Sequence, residues 1–336
     1  MYTLPFIITA IAALIISGLL GFVVIPCMIS LKAGQPINTI GPTWHKSKTG
    51  TPTMGGIMFE LGIILAIALG WFLLSGDLVE ASEDAYASGI RSLLISLFVS
   101  LGFSAIGFVD DLSKVLKKEN EGLTPSQKIV LQVIVTVAFL FLNYIYGDAD
   151  TSFWIPFIGK VELGYFYFPF AAFCIIGIVN AVNLTDGVDG LCASVTFVVS
   201  CGFVVISALT GFAADAVFSL AVAGSMIGYL FWNHKPAKIF MGDTGSMFLG
   251  GAVVAMAFGC QRESLMLTSG ILYVLEAFSV MLQVSYFKLT HGKRIFKMSP
   301  IHHHFEMCGW SEQKVDIVFS LVALCGVAFS IISVIA

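Results

Sequence analysis

The feature that most constrains this fold is a series of about ten apolar segments, each near the length that crosses a bilayer as an α-helix. Only 11% of the residues are charged, the hydrophobic fraction is 57% and the mean hydropathy is +0.93, which excludes an ordinary soluble domain. We expect an all-α polytopic membrane protein with residues 1–336 in one domain. The segments lie near residues 4–30, 53–75, 90–110, 127–147, 167–183, 190–211, 214–232, 246–260, 268–288 and 315–336.

The basic residues predict the orientation of these segments. All but three of the 17 lysines and arginines follow odd-numbered segments, the exceptions being Arg91, Lys160 and Arg262. Because positive loops stay in the cytoplasm, we expect both chain ends outside and the odd-numbered loops inside. Aromatic residues flank Gly159-Lys160 in the outside stretch 153–165, and this pattern predicts a short β-hairpin at the membrane interface.

Two adjacent carboxylates, Asp110 and Asp111, stand where the third apolar segment ends. We expect them at the C-terminal end of a helix, where the last backbone carbonyls reach water. That end carries partial negative charge, so two added anions there would attract a cation. The alternative is that the pair only stops the helix and is solvated, with Lys114 as the partner of Asp110 one turn later.

The other cytoplasmic loops contain further polar groups. In the first loop, Lys48 and Thr53 precede a helix start and form a plausible phosphate-binding corner, although ordinary capping also explains the threonine. The loop after the fifth segment has no lysine or arginine but contains Asn183, Asp186 and Asp189. These side chains either bind a polar ligand or form Asx turns and a helix cap.

The loop before the eighth segment contains Asn233, Phe240, Gly242 and Asp243, and it lacks the lysine of a Walker loop. Asp243 is a candidate metal ligand, and Phe240 offers a face on which a base could stack. A helix cap and small-residue packing explain the serine and glycines of this loop but not these two residues.

The last cytoplasmic loop contains His302, His303 and His304. Consecutive residues point about 100° apart on a helix, so the three are poorly placed to share one metal and suit phosphate or sugar contacts better. An amphipathic interfacial segment is the alternative reading. Glu60 and Glu276 lie inside apolar segments, where a buried acid is either functional or a protonated structural residue.

All these polar groups lie in loops predicted to face one side. Positive helix ends, lysines and a carboxylate-held cation suit a reaction between two phosphates, since phosphoryl transfer needs mainly positioning and charge neutralisation. One substrate would be a lipid phosphate and the other a soluble nucleotide whose uridine-like base stacks on Phe240. A transporter that uses Glu60 and Glu276 would show midplane charges and an internal repeat, and neither is evident.

Several motifs together resemble the phospho-N-acetylmuramoyl-pentapeptide transferase family of the polyprenyl-phosphate N-acetylhexosamine-1-phosphate transferase superfamily. The matching stretches are Thr51-Pro-Thr53-Met-Gly-Gly, Asp110-Asp111-Leu-Ser-Lys114, Asn183-Leu-Thr-Asp186-Gly-Val-Asp189-Gly, Met241-Gly242-Asp243-Thr-Gly245-Ser and Pro300-Ile-His302-His303-His304-Phe-Glu. The resemblance implies magnesium-dependent transfer of phospho-MurNAc-pentapeptide from its UDP-linked form to undecaprenyl phosphate, which gives lipid I and UMP. It also implies a homodimer in the bacterial plasma membrane, with the active site on the cytoplasmic face and no nucleic acid as partner.

The resemblance also implies roles for single residues. Asp243 matches the magnesium ligand, and Asp110 and Asp111 match a pair that acts as base, as positioning group for the lipid phosphate or as covalent nucleophile. The remaining matches are to substrate-binding positions: Lys48, Thr53, Lys114, Asn183, Asp186, Asp189, Asn233, Phe240, Gly242, His302, His303 and His304. A sister transferase that moves GlcNAc-1-phosphate would share the aspartates, whereas the three histidines favour the muramoyl enzyme.

Overall fold

A computed structural model describes residues 3–31, 33, 50–117, 121–147 and 150–336, so Lys48 lies outside the described residues. The described chain is mostly helical, with one two-stranded sheet. Its elements in order are α1 (Thr3–Ser30), α2 (Gly56–Ala81), α3 (Glu83–Lys117), α4 (Pro125–Tyr146), β1 (Ser152–Ile155), β2 (Gly159–Glu162), α5 (Tyr167–Thr185), α6 (Leu191–Thr210), α7 (Ala213–Asn233), α8 (Gly242–Gly259), α9 (Leu265–Thr268), α10 (Ile271–Leu289), α11 (Ile301–Met307) and α12 (Glu312–Ile335).

The prediction of a helical membrane protein is confirmed. Within the described residues, nine stretches have the length and apolar composition of a membrane span. The eighth predicted segment corresponds to α8, whose 18 residues begin with a polar turn and are almost wholly enclosed: every residue from Thr244 to Phe258 is buried. The other helices therefore shield α8 from the surroundings.

The end of α3 differs from the prediction. We expected the helix to stop at Asp110 and Asp111, with the carboxylates at the water boundary, and this is wrong, because α3 continues to Lys117 and both side chains are fully buried. Both carboxylates have polar partners inside the bundle, so the helix does not have to end at a point where they would reach water. The last turn instead contains Lys114 and Lys117, which suit the partial negative charge of a helix C-terminus.

Small residues bring α8 close to its neighbours. A methyl group at Gly107 of α3 would overlap the carbonyl oxygen of Asp243, at the first turn of α8. Farther along α8, a methyl group at Gly251 would lie 2.8 Å from Cα of Ser100, and one at Gly250 would lie 2.8 Å from Cα of Val179 in α5. Backbone contact of this kind fixes Asp243 beside the aspartates of α3.

The predicted hairpin is present. β1 and β2 pair antiparallel, with Ser152 opposite Glu162 and Ile155 opposite Gly159. Gly159 has a φ of +89°, which glycine adopts at no steric cost, and so the turn closes at the position expected from the sequence.

Candidate active site

Three carboxylates meet where α3 packs against the start of α8. One oxygen each of Asp110, Asp111 and Asp243 lies within 4.8 Å of the others. The side chains of Asp110 and Asp111 are buried, whereas that of Asp243 is 19% exposed. Three acids at this distance repel one another unless cations lie between them.

Asp111 is anchored through one oxygen. Its Oδ2 accepts hydrogen bonds from the backbone N–H of Thr244, at 2.9 Å, and from the Thr244 hydroxyl, at 2.7 Å. This carboxylate therefore caps the positive end of α8. The other oxygen, Oδ1, is buried and accepts no hydrogen bond from the described residues.

Asp110 is anchored in a similar way. Its Oδ1 accepts a hydrogen bond of 2.7 Å from the backbone N–H of Leu123, in the segment that precedes α4. Its Oδ2 lies 2.6 Å from Nζ of Lys114 and 3.1 Å from Nζ of Lys128. The expected pair between Asp110 and Lys114 is thus present, but inside the cluster instead of at a solvated helix end.

The same two lysines bind Asp243. Nζ of Lys114 lies 3.1 Å and Nζ of Lys128 lies 2.7 Å from its Oδ2. Lys128 is a site residue that the sequence reasoning missed, because it was counted only toward topology. A signal existed: a lysine in the first turn of α4 opposes the dipole preference of a helix N-terminus, which suggests another function.

Asn183 and Gly242 complete the surroundings of the cluster. Nδ2 of Asn183 donates to Oδ1 of Asp243, at 3.0 Å, and to the hydroxyl of Ser246, at 2.8 Å. Gly242 has a φ of +72°, and a side chain there would overlap Oδ2 of Asp111 and crowd the hydroxyl of Thr53, which is buried. Glycine at position 242 thus permits close approach of the three elements.

Phe240 is joined to the segment that contains Thr53. Its N–H donates to the carbonyl of Pro52, and its carbonyl accepts from the N–H of Gly55, both at 2.8 Å. The Phe240 side chain is half-buried. The structure therefore brings the candidate stacking residue Phe240 and Thr53 to the same end of the bundle as the carboxylates.

Two candidate nucleotide residues connect the α5–α6 and α7–α8 loops. Oδ1 of Asn233 accepts from the N–H of Gly190, at 3.0 Å, and its Nδ2 donates to the carbonyl of Ile239, at 2.9 Å. Oδ2 of Asp189 accepts from the N–H of Ala237, also at 3.0 Å. Both side chains are buried, so they hold the loops in place whatever they contact in a substrate complex.

Asp186 lies at the C-terminal end of α5 and is partly exposed. Desolvation, followed by the negative charges of Asp243, Asp111 and Asp189, raises the pKa of Asp186 to about 8. In its protonated form this carboxyl can donate a hydrogen bond as well as accept one.

The three consecutive histidines have different partners. Nδ1 of the buried His302 lies 3.1 Å from Oε2 of Glu276, Nδ1 of His303 lies 2.7 Å from Oε2 of Glu306, and Nδ1 of His304 accepts from the N–H of Lys297 at 3.1 Å. Each imidazole thus faces a different neighbour. Their contact with substrate stays a prediction.

The carboxylate cluster has the chemistry of a hard-cation site. It offers oxygen ligands only, and its three carboxylates exceed its two lysines by one negative charge. Oδ1 of Asp111 accepts no hydrogen bond from the described residues and lies 3.8 Å from Nζ of Lys114. Mg²⁺ and Ca²⁺ prefer such oxygen donors. The residues present therefore fit a divalent cation.

The fold and the site define a helical membrane protein with a buried cluster of carboxylates and lysines, and comparison with known proteins identifies its family. The family described as "Glycosyl transferase family 4" matches residues 93–260, a range that includes all three carboxylates. A phospho-N-acetylmuramoyl-pentapeptide-transferase of Clostridium perfringens (strain 13 / Type A) is 45% identical over 330 residues, covering 97% of this chain and 98% of the relative.

Two Listeria proteins of the same name are similar over nearly the same length. The one from Listeria monocytogenes serovar 1/2a is 42% identical over 313 residues, covering 93% of this chain and 92% of its own. The one from Listeria welshimeri serovar 6b is 42% identical over 312 residues, with the same coverage. The chain belongs to the phospho-N-acetylmuramoyl-pentapeptide-transferase family, which confirms the resemblance found in its motifs.

Proposed function

We propose that this protein transfers phospho-MurNAc-pentapeptide from UDP-MurNAc-pentapeptide to undecaprenyl phosphate. A phosphate oxygen of the lipid bonds to the sugar-linked phosphorus, the bond from that phosphorus to UMP breaks, and the products are lipid I and UMP. The names of the relatives support the reaction. The observation that carries it is the cluster of three carboxylates and two lysines at the start of α8.

We assign the divalent cation, Mg²⁺ as the resemblance implies, to Asp243 and to Oδ1 of Asp111, which accepts no hydrogen bond from the described residues and lies 3.8 Å from Nζ of Lys114. Bound there, it would neutralise charge on the diphosphate of the donor. Asn183 orients the Asp243 carboxylate from the opposite side, and Thr244 holds the other oxygen of Asp111. The ligands are thereby oriented before a substrate arrives, which lowers the reorganisation needed for reaction.

Lys114 and Lys128 have a second task in this proposal. Two phosphates that approach each other carry several negative charges, and two lysines beside the cluster reduce their repulsion. Asp110, fixed by Leu123, holds both ammonium groups in place. The resemblance implies three possible roles for the Asp110–Asp111 pair: base, positioning group for the lipid phosphate, or covalent nucleophile. One oxygen of each residue is anchored, and this arrangement suits all three roles.

We further propose ten spans, counting α8, with both chain ends outside and the carboxylate cluster on the cytoplasmic face of the bacterial plasma membrane. The distribution of lysine and arginine supports this orientation. A reporter enzyme that is active only outside the cytoplasm should therefore be active when it is fused to either chain end. By the resemblance we also expect a homodimer, which native mass spectrometry in detergent would reveal.

One assay tests the reaction. Purified protein is incubated with Mg²⁺, undecaprenyl phosphate and either UDP-MurNAc-pentapeptide or UDP-GlcNAc, and released UMP is measured. We expect UMP from the muramoyl donor only, and none after chelation of Mg²⁺. Release from UDP-GlcNAc alone would support the sister GlcNAc-1-phosphate transferase, and no release from either donor would contradict both proposals.

A further inference from the structure

Glu276 has no role in the reaction proposed above, although it is fully buried within α10. Its Oε2 lies 3.1 Å from Nδ1 of His302 on α11, and His302 is fully buried as well. Burying a carboxyl group or an imidazole without a partner is costly, so each of these groups stabilises the other in place. The contact fixes the orientation of the imidazole ring.

The opposite edge of the His302 ring faces the α5–α6 loop. A Cβ atom at Gly187 would overlap Nε2 of His302, so the ring contacts the loop at a residue that must lack a side chain. Gly187 lies between Asp186 and Asp189, two of the candidate nucleotide residues. Glu276, His302 and Gly187 therefore form a continuous chain of contacts from α10 to that loop.

The first of the three histidines takes part in this chain. Nδ1 of His303 lies near Glu306 within the same helix, and Nδ1 of His304 accepts from the N–H of Lys297 just before it. His302 joins α11 to both α10 and the loop. Its Nε2 is buried and has no hydrogen-bond partner among the described residues, so it retains hydrogen-bonding capacity on the side of Gly187.

We propose that Glu276 is a positioning residue that, through His302, holds the loop of residues 186–190 in the shape that binds the nucleotide of the donor substrate. The proposal rests on the proposed function, because that function makes a uridine nucleotide the ligand of this loop. Glu276 itself contacts no substrate. Its effect passes through the imidazole ring and the backbone of Gly187.

Hydrogen exchange and nucleotide binding test this role. In Glu276→Leu, which fills similar space without a hydrogen bond, we expect the amides of residues 186–190 to exchange at least fivefold faster in the absence of nucleotide. We expect the Kd of UMP, measured by calorimetry with Mg²⁺, to rise about tenfold, as for the loss of one good hydrogen bond. His302→Leu should produce the same changes, and the double variant should be no worse than either single one.

Asp215→Asn is the matched control, since Asp215 is a buried carboxylate in α7 whose partner is Ser92 instead of a histidine. It should leave loop exchange and UMP affinity within twofold of the unmodified protein. Normal loop exchange and normal UMP affinity in a folded Glu276→Leu protein would overturn the proposal. Failure of the unmodified protein to bind UMP would instead contradict the proposed function, and the exchange experiment would still report on the contact.

A second variant covers the case in which Glu276→Leu does not fold. Gly187→Ala places a methyl group against Nε2 of His302 and should speed loop exchange and weaken UMP binding about tenfold. In a His302→Ala background the ring is absent, so adding Gly187→Ala should change UMP affinity less than twofold. Fully additive effects would show that the ring does not hold the loop.

Discussion

Carboxylates occur at both ends of the helical bundle, but their partners differ. At one end, Asp110 and Asp243 share Lys114 and Lys128, and Oδ1 of Asp111 lies 3.8 Å from Nζ of Lys114. The other end begins near Ser92, about 28 Å away along α3. There the acids are dispersed and each has its own partner: Ser92 for Asp215, Lys160 for Asp150 and the N–H of Trp154 for Glu263.

The comparison shows which property marks the site. The end near Ser92 has a cavity of about 670 Å³ that Arg91, Asn143 and Asp215 help to line, so neither open volume nor polar residues are missing there. What it lacks, within the part of the chain that the structure describes, is a group of three possible metal ligands close together. The candidate active site is marked by a group of carboxylates whose negative charge exceeds the positive charge of the neighbouring lysines, because such an arrangement is unstable without a ligand.

The largest expected effect comes from removing one member of the cluster. Asp243→Asn should lower UMP release at least 10²–10³-fold, the cost typical of losing a main electrostatic group, without unfolding the protein. Asp215→Asn changes an acid at the opposite end and should retain activity. Near-normal turnover of Asp243→Asn at saturating substrate and Mg²⁺ would show that Asp243 is not a metal ligand. The carboxylates at the two ends would then not differ in their effect on turnover.

A smaller effect is expected for the lysine that the sequence reasoning missed. Lys128→Gln removes the ammonium group 2.7 Å from Asp243 and should lower kcat roughly 10- to 100-fold, since one of two neutralising charges remains. Lys117→Gln is the matched control, because Lys117 is exposed at the end of α3. Equal activity of the two variants, measured as initial UMP release, would show that Lys128 contributes only to the orientation of the protein in the membrane.

The backbone contact beneath the cluster predicts a change in stability. Gly107→Ala forces α3 away from the carbonyl of Asp243 and should destabilise the protein by about 1–3 kcal/mol, with lower activity. Gly177→Ala adds the same methyl group to an exposed position of α5 with nothing within 4 Å, so it should be neutral or slightly stabilising. Thermal unfolding in detergent distinguishes them, and equal melting temperatures would mean that the α3–α8 contact is not tight.

These residues also show how far the sequence could lead. Apolar length predicted the helices, and motif resemblance predicted the residues that meet at the cluster, because both depend on local patterns. The burial of Asp110 and Asp111 could not be predicted in this way, since it depends on α8 packing against α3 more than a hundred residues earlier in the chain. Lys128 differs in part: its position in the first turn of α4 suggests another function, but it does not identify the partner, because Asp243 is distant in sequence.

The smallest expected effect lies at the other end, in the exposed pair of Asp150 and Lys160. The hydrogen bond from Lys160 is the main reason that the pKa of Asp150 falls from 3.8 to about 2. Because the folded state binds this proton more weakly than the unfolded state, the pair stabilises the fold above about pH 4, and the contribution disappears as the pH falls through about 2. Asp150→Asn should therefore lower the melting temperature by at most about 2 °C at pH 7, and the difference should shrink toward pH 3. A larger difference at pH 3 than at pH 7 would reverse the assigned sign, and an effect as large as that of Gly107→Ala would contradict the view that this exposed pair contributes only weakly to stability.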